Sequence, residues 1–299
     1  MTSLAVIVPV HNEIGNIDSF FERARTVLES LPVSWKIVFV NNDSTDGSLE
    51  RMRALHEGDE RVKLISLSRN FGYHSALYAG LSMVEADRYT MIDVDCEDPP
   101  ELLRDFHAAI EGGADIAYGI RSNREEPGSV TFFRRMFYYL NRQIADSEIV
   151  LWMAEFAMIT RQVRDIVLVP KTTYLFLRAE IAYAGFSRVG IAYRRAARTS
   201  GKTHYNAFNL TRFAVSGFLA GSTFPLRLIL YLAVLVAIAF PLVVALGGLG
   251  AAGAAAFAAI ATFYFALFAL STMALYLART YKNGVARPLF VIDRGKTYL

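Results

Sequence analysis

The sequence contains a single cysteine, Cys96, among its 299 residues. One cysteine cannot form an intramolecular disulfide, and it cannot build a cysteine-based zinc site. A reducing, cytoplasmic setting for the chemistry is therefore natural. The formal net charge of +3 is small, and Lys and Arg are scattered along the chain instead of forming a stripe. The composition thus gives no argument for a nucleic-acid partner.

Charged residues are also missing from one long segment. No Asp, Glu, Lys or Arg occurs between Arg227 and Arg279. A single helix of this length would measure about 75 Å, far more than the roughly 30 Å core of a bilayer. The glycine-rich residues 247–253 indicate a turn, so the segment predicts two membrane spans, at about 228–246 and 254–277. A buried helical pair in a soluble protein is the weaker alternative, because every face of the segment is apolar.

The residues around the two spans predict their orientation. The link between the spans carries no charge, whereas basic residues flank the pair, namely Arg212, Arg227, Arg279, Lys282, Arg287, Arg294 and Lys296. By the positive-inside rule, both ends of the pair then lie in the cytoplasm. Residues 206–224 mix apolar and polar side chains and predict an interfacial helix on that leaflet; an ordinary amphipathic surface helix is the alternative. The first residues show no signal-peptide pattern.

The first 120 residues alternate between short apolar runs and helical patterns. Five strands are predicted, at 4–9, 35–40, 62–67, 89–92 and 116–118, and four helices, at 14–30, 46–57, 75–85 and 99–111. This alternation predicts an α/β fold with a mostly parallel sheet covered by helices. Ligands of such sheets bind beyond the carboxyl ends of the strands. The segments 10–13, 41–47 and 93–95 all follow predicted strands, so we expect them to line one crevice.

Two aspartates one residue apart, Asp93 and Asp95, stand where the fourth predicted strand ends. Carboxylates so placed can converge on a hard divalent cation such as Mg²⁺ or Mn²⁺, while substrate phosphates complete its coordination. The pair alone is weak evidence, because acidic pairs also cap helices and occupy solvated turns. The segments before it and the apolar segment after it strengthen the interpretation.

Four motifs, taken in order, resemble those of the family 2 glycosyltransferases of GT-A fold: IVPVHNE at 7–13, STDGS at 44–48, LSRNFG at 67–72 and DVDCEDPP at 93–100. The motif YGIR at 118–121, the run 198–205, the two spans and ARPLFV at 286–291 narrow the resemblance. The chain is similar to the polyisoprenyl-phosphate glycosyltransferases, the branch that includes the dolichol-phosphate mannose synthases and their bacterial relatives. The resemblance implies metal-dependent transfer of a sugar from a nucleotide-sugar to a membrane polyprenyl phosphate.

The resemblance also implies how the chain is organised. A cytoplasmic GT-A catalytic domain would occupy 1–205, an interfacial helix 206–224, two transmembrane helices 225–279 and a cytoplasmic tail 280–299. The protein would then be a multi-pass protein of the cell membrane that serves glycosylation of the cell envelope. Homo-oligomers and a separate translocating protein are further expectations from the family, and no nucleic acid is expected.

The family pattern assigns roles to individual residues. The donor nucleotide is expected to contact Pro9, His11, Glu13, Asn41, Asn42, Asp43, Ser68, Asn70 and Gly72. The metal that neutralises the leaving diphosphate would be held by Asp93, Asp95 and Glu97, of which the two aspartates are also catalytic. The anionic acceptor requires positioning, for which arginine geometry is suited. The phosphate contacts implied are Arg121, Arg134 (or its neighbour Arg135), Arg198, Lys202, Thr203 and Tyr205; for any single arginine, a solvated surface charge is the alternative.

The chain departs from the family pattern at three places. Asn41 and Asn42 replace acidic residues, which leaves the base of the donor open. Glu97 stands where relatives usually have Gln. Glu155 is the only carboxylate in a stretch where relatives carry an Asp; a catalytic role and a buried structural role are both open. Asn41, Asn42 and the missing Asp motivate an alternative function, a catalytically impaired scaffold or regulator. A polysaccharide synthase is less favoured, because its Gln-x-x-Arg-Trp motif and additional spans are absent.

Overall fold

The computed structural model describes residues 2–122, 153–169, 176–195, 222–246 and 250–299. Seven strands in these residues form one sheet: β1 Ser3–Val10, β2 Ser34–Asn41, β3 Val62–Ser66, β4 Arg88–Met91, β5 Ile116–Arg121, β6 Met153–Thr160 and β7 Arg188–Tyr193. Their order across the sheet is β3-β2-β1-β4-β6-β5-β7. Strands β3, β2, β1 and β4 run parallel, β6 is antiparallel to β4 and β5, and β7 is parallel to β5.

Eight α-helices accompany the sheet in the described residues: α1 Ile14–Glu29, α2 Ser48–Gly58, α3 Tyr73–Met83, α4 Leu103–Glu111, α5 Arg161–Val167, α6 Leu177–Tyr183, α7 Phe224–Leu246 and α8 Ala251–Gly284. Short 3-10 turns lie at Pro100–Leu102 and Arg294–Lys296. The predicted mostly parallel, helix-covered sheet is confirmed. The sequence did not predict β6, β7, α5 or α6 as elements.

The sheet is buried on both faces, which explains the continuous apolar runs of its central strands. One hydrophobic cluster contains Phe20, Phe39 and Phe106, which join α1, β2 and α4. The cluster on the other face contains Tyr78 and Tyr89, which join α3 to β4. Helices on both faces therefore hold the strands in place, and the carboxyl ends of β1, β2 and β4 open into a common cleft.

Helices α7 and α8 are long enough and apolar enough to cross a membrane, which confirms the prediction of two apolar helices. Their side chains are largely exposed in the isolated chain. The two helices contact each other as a hairpin: the Tyr276 hydroxyl donates to the Ser222 carbonyl at 2.6 Å, and the Phe240 and Phe257 rings stack 5.9 Å apart. Of the predicted interfacial helix, residues 206–221 lie outside the described residues.

The residues that follow α8 return to the sheet. Leu64 of β3 forms an antiparallel bridge with Tyr298, and Leu67 forms a second with Ile292. Strand β3 is an edge strand, so these residues cover an edge that would otherwise present unpaired backbone groups. The sequence interpretation treated this segment only as a tail; its pairing with β3 was not predicted.

Candidate active site

The cleft lies at the carboxyl ends of the parallel strands, as expected. Its lining consists of residues at or just after the carboxyl ends of β1, β2, β3 and β4. These residues are Pro9, Val10, His11, Glu13, Asn42, Asn70, Gly72, Tyr73, Asp93, Val94 and Asp95. Six of the nine predicted donor residues are therefore brought together with both predicted aspartates. The exceptions are Asn41, Asp43 and Ser68, which are described below.

The STDGS motif connects two loops next to the cleft through hydrogen bonds. Asp46 accepts hydrogen bonds from the backbone N–H of Ile14, at 3.1 Å, and of Ser48, at 3.0 Å, so one carboxylate joins the starts of α1 and α2. Gly47 has φ +91°, and a Cβ there would lie 3.0 Å from the Ile14 side chain. Asn12 accepts from the Thr45 N–H at 2.7 Å. The motif therefore fixes the loop between β1 and α1 against the loop after β2.

Three side chains of the cleft lining, those of His11, Asn42 and Asn70, form a polar network. The Nδ1 atom of His11 lies 2.8 Å from the Asn42 carbonyl oxygen, and its Nε2 atom lies 3.2 Å from Nδ2 of Asn70. Because a carbonyl only accepts, His11 carries its proton on Nδ1 and accepts from Asn70. The Asn42 amide donates to Asn70 at 3.1 Å and accepts from the Phe71 N–H at 3.0 Å. Asn42 is 5% exposed, so it supports the network, while His11 and Asn70 are the more accessible members.

Asn41, Asp43 and Ser68 do not line the cleft. Asn41 is buried; its amide donates to the Ser66 hydroxyl at 2.9 Å and accepts from the Ser44 N–H at 3.0 Å. Asp43 is exposed at a turn with φ +62°. The Ser68 N–H donates to the Val291 carbonyl at 2.9 Å. The structure thus places Asn41 as a support for the loop after β2.

The acidic end of the cleft is crowded with negative charge. The Tyr73 hydroxyl donates to Asp93 Oδ1 at 2.7 Å, and the Asp95 carboxylate accepts from the Glu97 N–H at 3.1 Å. Burial raises the pKa of Asp93 to about 7; the Tyr73 hydrogen bond opposes this shift, and the charges of Asp95, Asp98 and Glu155 add to it. A divalent cation would stabilise such a cluster, so Asp93 and Asp95 fit a Mg²⁺ or Mn²⁺ site.

Glu97 and Asp98 are engaged by cations of the protein. Glu97 forms an ion pair with Arg195. Asp98 is 1% exposed; it accepts from Arg121 at 2.9 Å and from the Tyr193 hydroxyl at 2.5 Å. Across the described ranges, no group of three His, Cys, Asp or Glu side chains is arranged to hold a metal. Arg121 therefore contacts a carboxylate of the protein.

Glu155 lies on β6, behind the acidic end. Its Oε1 atom is 2.7 Å from Nε of Arg178, and its Oε2 atom is buried without a hydrogen-bond partner among the residues that the structure describes. Burial raises the pKa of Glu155, and the Arg178 charge opposes the shift. Arg178 also donates to the Met153 carbonyl at 3.0 Å. Glu155 is outside the cleft lining, although its charge acts on Asp93.

The remaining predicted phosphate contacts, Arg134, Arg198, Lys202, Thr203 and Tyr205, lie outside the described residues, as does Arg135. Conversely, the sequence interpretation missed Tyr73, Arg178, Tyr193 and Arg195. Tyr73 directly follows the LSRNFG motif, and this position beside a motif of the cleft is the signal that could have identified it. The structure places Tyr73 at the first residue of α3. The others have no comparable signal, because they come from β7, α6 and the adjoining loops, which the sequence did not predict.

Comparison with known sequences places the chain among sugar-transferring proteins. Residues 5–168 match the family described as Glycosyl transferase family 2. A prophage bactoprenol glucosyl transferase homolog of Escherichia coli (strain K12) is 30% identical, over 98% of this chain and 99% of its own length. The bactoprenol glucosyl transferase of Shigella phage SfV is 33% identical, over 78% of this chain and 76% of its own.

Solved structures agree with the fold. Mannosyl-3-phosphoglycerate synthase from Rubrobacter xylanophilus superposes with a TM-score of 0.54 at 17% identity, covering 74% of this chain and 73% of that one. Glucosyl-3-phosphoglycerate synthase from Mycobacterium tuberculosis, in complex with Mn²⁺ and UDP-glucose, gives a TM-score of 0.50 at 18% identity, covering 73% and 78%. At these identities the likeness establishes the fold alone.

Proposed function

The chain belongs to glycosyl transferase family 2, and we propose that it transfers a sugar from a nucleotide-sugar to a polyprenyl phosphate carrier. The observation that carries this proposal is the 30% identity to a bactoprenol glucosyl transferase homolog over almost the full length of both chains. That match includes the apolar helices as well as the cleft. The names of the relatives make a glucosyl donor the first to test.

The donor occupies the cleft in this proposal. The nucleotide lies on the side of His11 and Asn70, with Pro9, Glu13 and Gly72 around it, and the diphosphate lies toward Asp93 and Asp95. These two aspartates hold Mg²⁺ or Mn²⁺, which supplies neutralisation of the charge that develops on the leaving diphosphate. Support comes from the joint lining of one cleft by these residues.

The acceptor is already an anion, so the protein's task is to position it and to offset its repulsion from the donor. We assign that task to polar and basic residues of the segment 198–205, with Arg198, Lys202, Thr203 and Tyr205 as the first to examine. Arg195 supports this assignment: it precedes that segment in the chain, and it contacts Glu97 and Asp98 beside the acidic end of the cleft.

The helices α7 and α8 form a membrane anchor in this proposal, and both ends of the pair lie on the cytoplasmic side. The basic flanks favour this orientation. The pairing of Ile292 and Tyr298 with the β3 edge supports it too, because a segment after α8 can reach the sheet only if it emerges on the side of the membrane where the sheet lies.

A donor screen tests the proposal. The purified full-length protein is incubated with polyprenyl phosphate in vesicles, Mn²⁺ and, in turn, labelled UDP-, GDP- and dTDP-sugars. One donor should yield an organic-extractable, lipid-linked monosaccharide. Hydrolysis of every donor without a lipid product would contradict the proposal, and binding of a donor without any turnover would favour the scaffold alternative.

A further inference from the structure

The segment 289–298, which we call the strap, contacts the loop that carries Asn70. The Ser68 N–H donates to the Val291 carbonyl at 2.9 Å, and the Asp293 N–H donates to the Ser66 carbonyl at 2.8 Å. Leu64 and Tyr298 exchange two backbone hydrogen bonds, of 2.7 and 2.6 Å. The strap therefore follows β3 from inside the strand to the first residues of the donor loop 67–72.

Side chains add to the backbone pairing. The ring of Tyr298 contacts the His56 ring, with centroids 5.4 Å apart, and lies under the Arg53 guanidinium at 5.1 Å. At the other end of the strap, Phe290 and Ile292 pack against the hydrophobic cluster on the α3 face of the sheet. The strap is thus held at both ends by contacts that do not involve the membrane helices.

A chain of hydrogen bonds runs from the strap to the loop that follows β2. The Ser66 N–H donates to the Thr297 hydroxyl at 3.1 Å. The Ser66 hydroxyl accepts from the Asn41 side-chain amide at 2.9 Å, and the Asn41 side-chain oxygen Oδ1 accepts from the Ser44 N–H at 3.0 Å. The loop after β2 and the loop 67–72 are therefore both connected to Ser66. The strap bonds to the backbone of Ser66 through both its N–H and its carbonyl.

From these contacts we propose that the strap is a positioning element of the donor site. No strap residue lines the cleft. The strap acts by fixing the loop 67–72, and with it Asn70, whose amide bonds to His11 and Asn42. Because only residues 285–288 separate the strap from α8, the strap connects the membrane anchor to the nucleotide side of the cleft. The inference rests on the proposed function for the identity of the ligand.

Two pairs of variants isolate the strap contacts. Thr297→Val removes the oxygen that Ser66 binds, whereas Thr297→Ser keeps it. Asp293→Pro removes the N–H that donates to Ser66, at a residue whose φ of −81° suits proline, whereas Asp293→Ala keeps that N–H and removes only the side chain. Thr280→Val, which deletes an exposed hydroxyl bonded within α8, is the matched control on the membrane side.

The full-length protein in detergent is titrated with UDP, GDP and dTDP in separate experiments, in the presence of Mn²⁺. Thr297→Val and Asp293→Pro should each weaken binding of the tightest-binding nucleotide about two- to tenfold and raise the donor KM by a similar factor, with the acceptor KM unchanged. Thr297→Ser, Asp293→Ala and Thr280→Val should bind like the wild type. Unchanged nucleotide affinity in Thr297→Val and Asp293→Pro, with only a lower Tm, would overturn the proposal, since the strap would then be merely structural.

Amide hydrogen exchange separates this inference from the proposed function. Residues 67–72 should exchange faster in Thr297→Val and Asp293→Pro than in their paired controls, with or without nucleotide. If the wild type binds none of UDP, GDP and dTDP, the proposed function fails on that result, while the exchange measurement still decides the strap. Equal exchange across all variants would overturn the positioning role.

Discussion

At the scale of single residues, the acidic end of the cleft determines the chemistry. Asp93 and Asp95 lie together in the lining, and Asp93 is crowded by Asp95, Asp98 and Glu155. This concentration of carboxylates is costly without a cation and favourable with one. The two aspartates therefore carry the proposed transfer, whereas Glu97 is engaged by Arg195.

Asp95→Asn removes one charge from this pair and should lower turnover by more than about 100-fold, because a bound metal supplies several kcal/mol of transition-state stabilisation. The Tm should stay close to that of the wild type, since Asp95 lies in an open cleft. Turnover assays with and without EDTA check this prediction, with Asp18→Asn at an exposed ion pair as the control. Full activity of Asp95→Asn in EDTA would exclude the metal role.

Tyr73 holds Asp93 through one hydrogen bond of 2.7 Å. Tyr73→Phe should reduce turnover about tenfold, the usual order for a hydrogen bond to a charged group, and should raise the Mn²⁺ concentration that gives half-maximal activity. Tyr78→Phe is the matched control: it lies on the same helix, and its hydroxyl has no hydrogen-bond partner among the described residues. If both variants behaved alike, Tyr73 would have no specific role.

The Glu97–Arg195 ion pair can be tested by a double-mutant cycle. Glu97→Gln and Arg195→Gln should each reduce turnover about three- to tenfold. The expected loss is modest because the Arg195 side chain is 39% exposed, and solvent weakens an exposed ion pair. The double variant should be no worse than either single variant, since the two side chains act as one contact. Additive losses, or a metal dependence altered only in Glu97→Gln, would instead support the original prediction that Glu97 is a metal ligand.

At the scale of elements, β1 to β5 and α1 to α4 could be predicted because their signals are local: each apolar run and each helical pattern is complete within about 16 residues. Strand β6 has an apolar run, Met153–Thr160, that periodicity alone cannot separate from a helix. Strand β7 contains a glycine and exposed positions, so it has little apolar signal. The pairing of Leu64 with Tyr298 joins residues far apart in sequence, for which no local pattern exists.

The same reasoning explains the outcome at the site. The motifs after β1, β2, β3 and β4 meet because parallel strands end at one edge of the sheet. The roles of other residues depend on hydrogen bonds that the sequence does not show. Asn41 could not be recognised as a buried support of Ser44 and Ser66 without the positions of both partners. The same holds for Arg121, whose partner Asp98 was assigned to a neighbouring motif.

The membrane insertion of α7 can be tested by one substitution in the middle of the helix and one at its end. Leu235→Arg places a charge in the middle of the helix, where insertion then costs about 2.5–3.5 kcal/mol. It should shift the protein from the membrane fraction to the soluble or aggregated fraction. Leu246→Arg, at the end of α7, should remain membrane-bound, because charge is tolerated near the interface. Equal fractionation of the two variants would contradict an α7 membrane span.

At the scale of the whole molecule, we propose that the hairpin and the strap attach the sheet to one side of the bilayer. Helices α7 and α8 contain no ionisable residue from Leu228 to Ala278 apart from tyrosines, so they offer no lining for a charged sugar phosphate. The account therefore assigns catalysis to the cleft and anchoring to the hairpin. We therefore propose that a separate protein moves the product across the bilayer.

One measurement tests this account most directly. The full-length protein alone is reconstituted in sealed vesicles that contain polyprenyl phosphate, and the labelled nucleotide-sugar selected by the donor screen is supplied outside with Mn²⁺. The account predicts a polyprenyl-phosphate-linked monosaccharide, identified by mass spectrometry, that stays on the outer leaflet and is absent with Asp95→Asn. Failure to label the lipid, or rapid appearance of the labelled lipid on the inner leaflet, would contradict it.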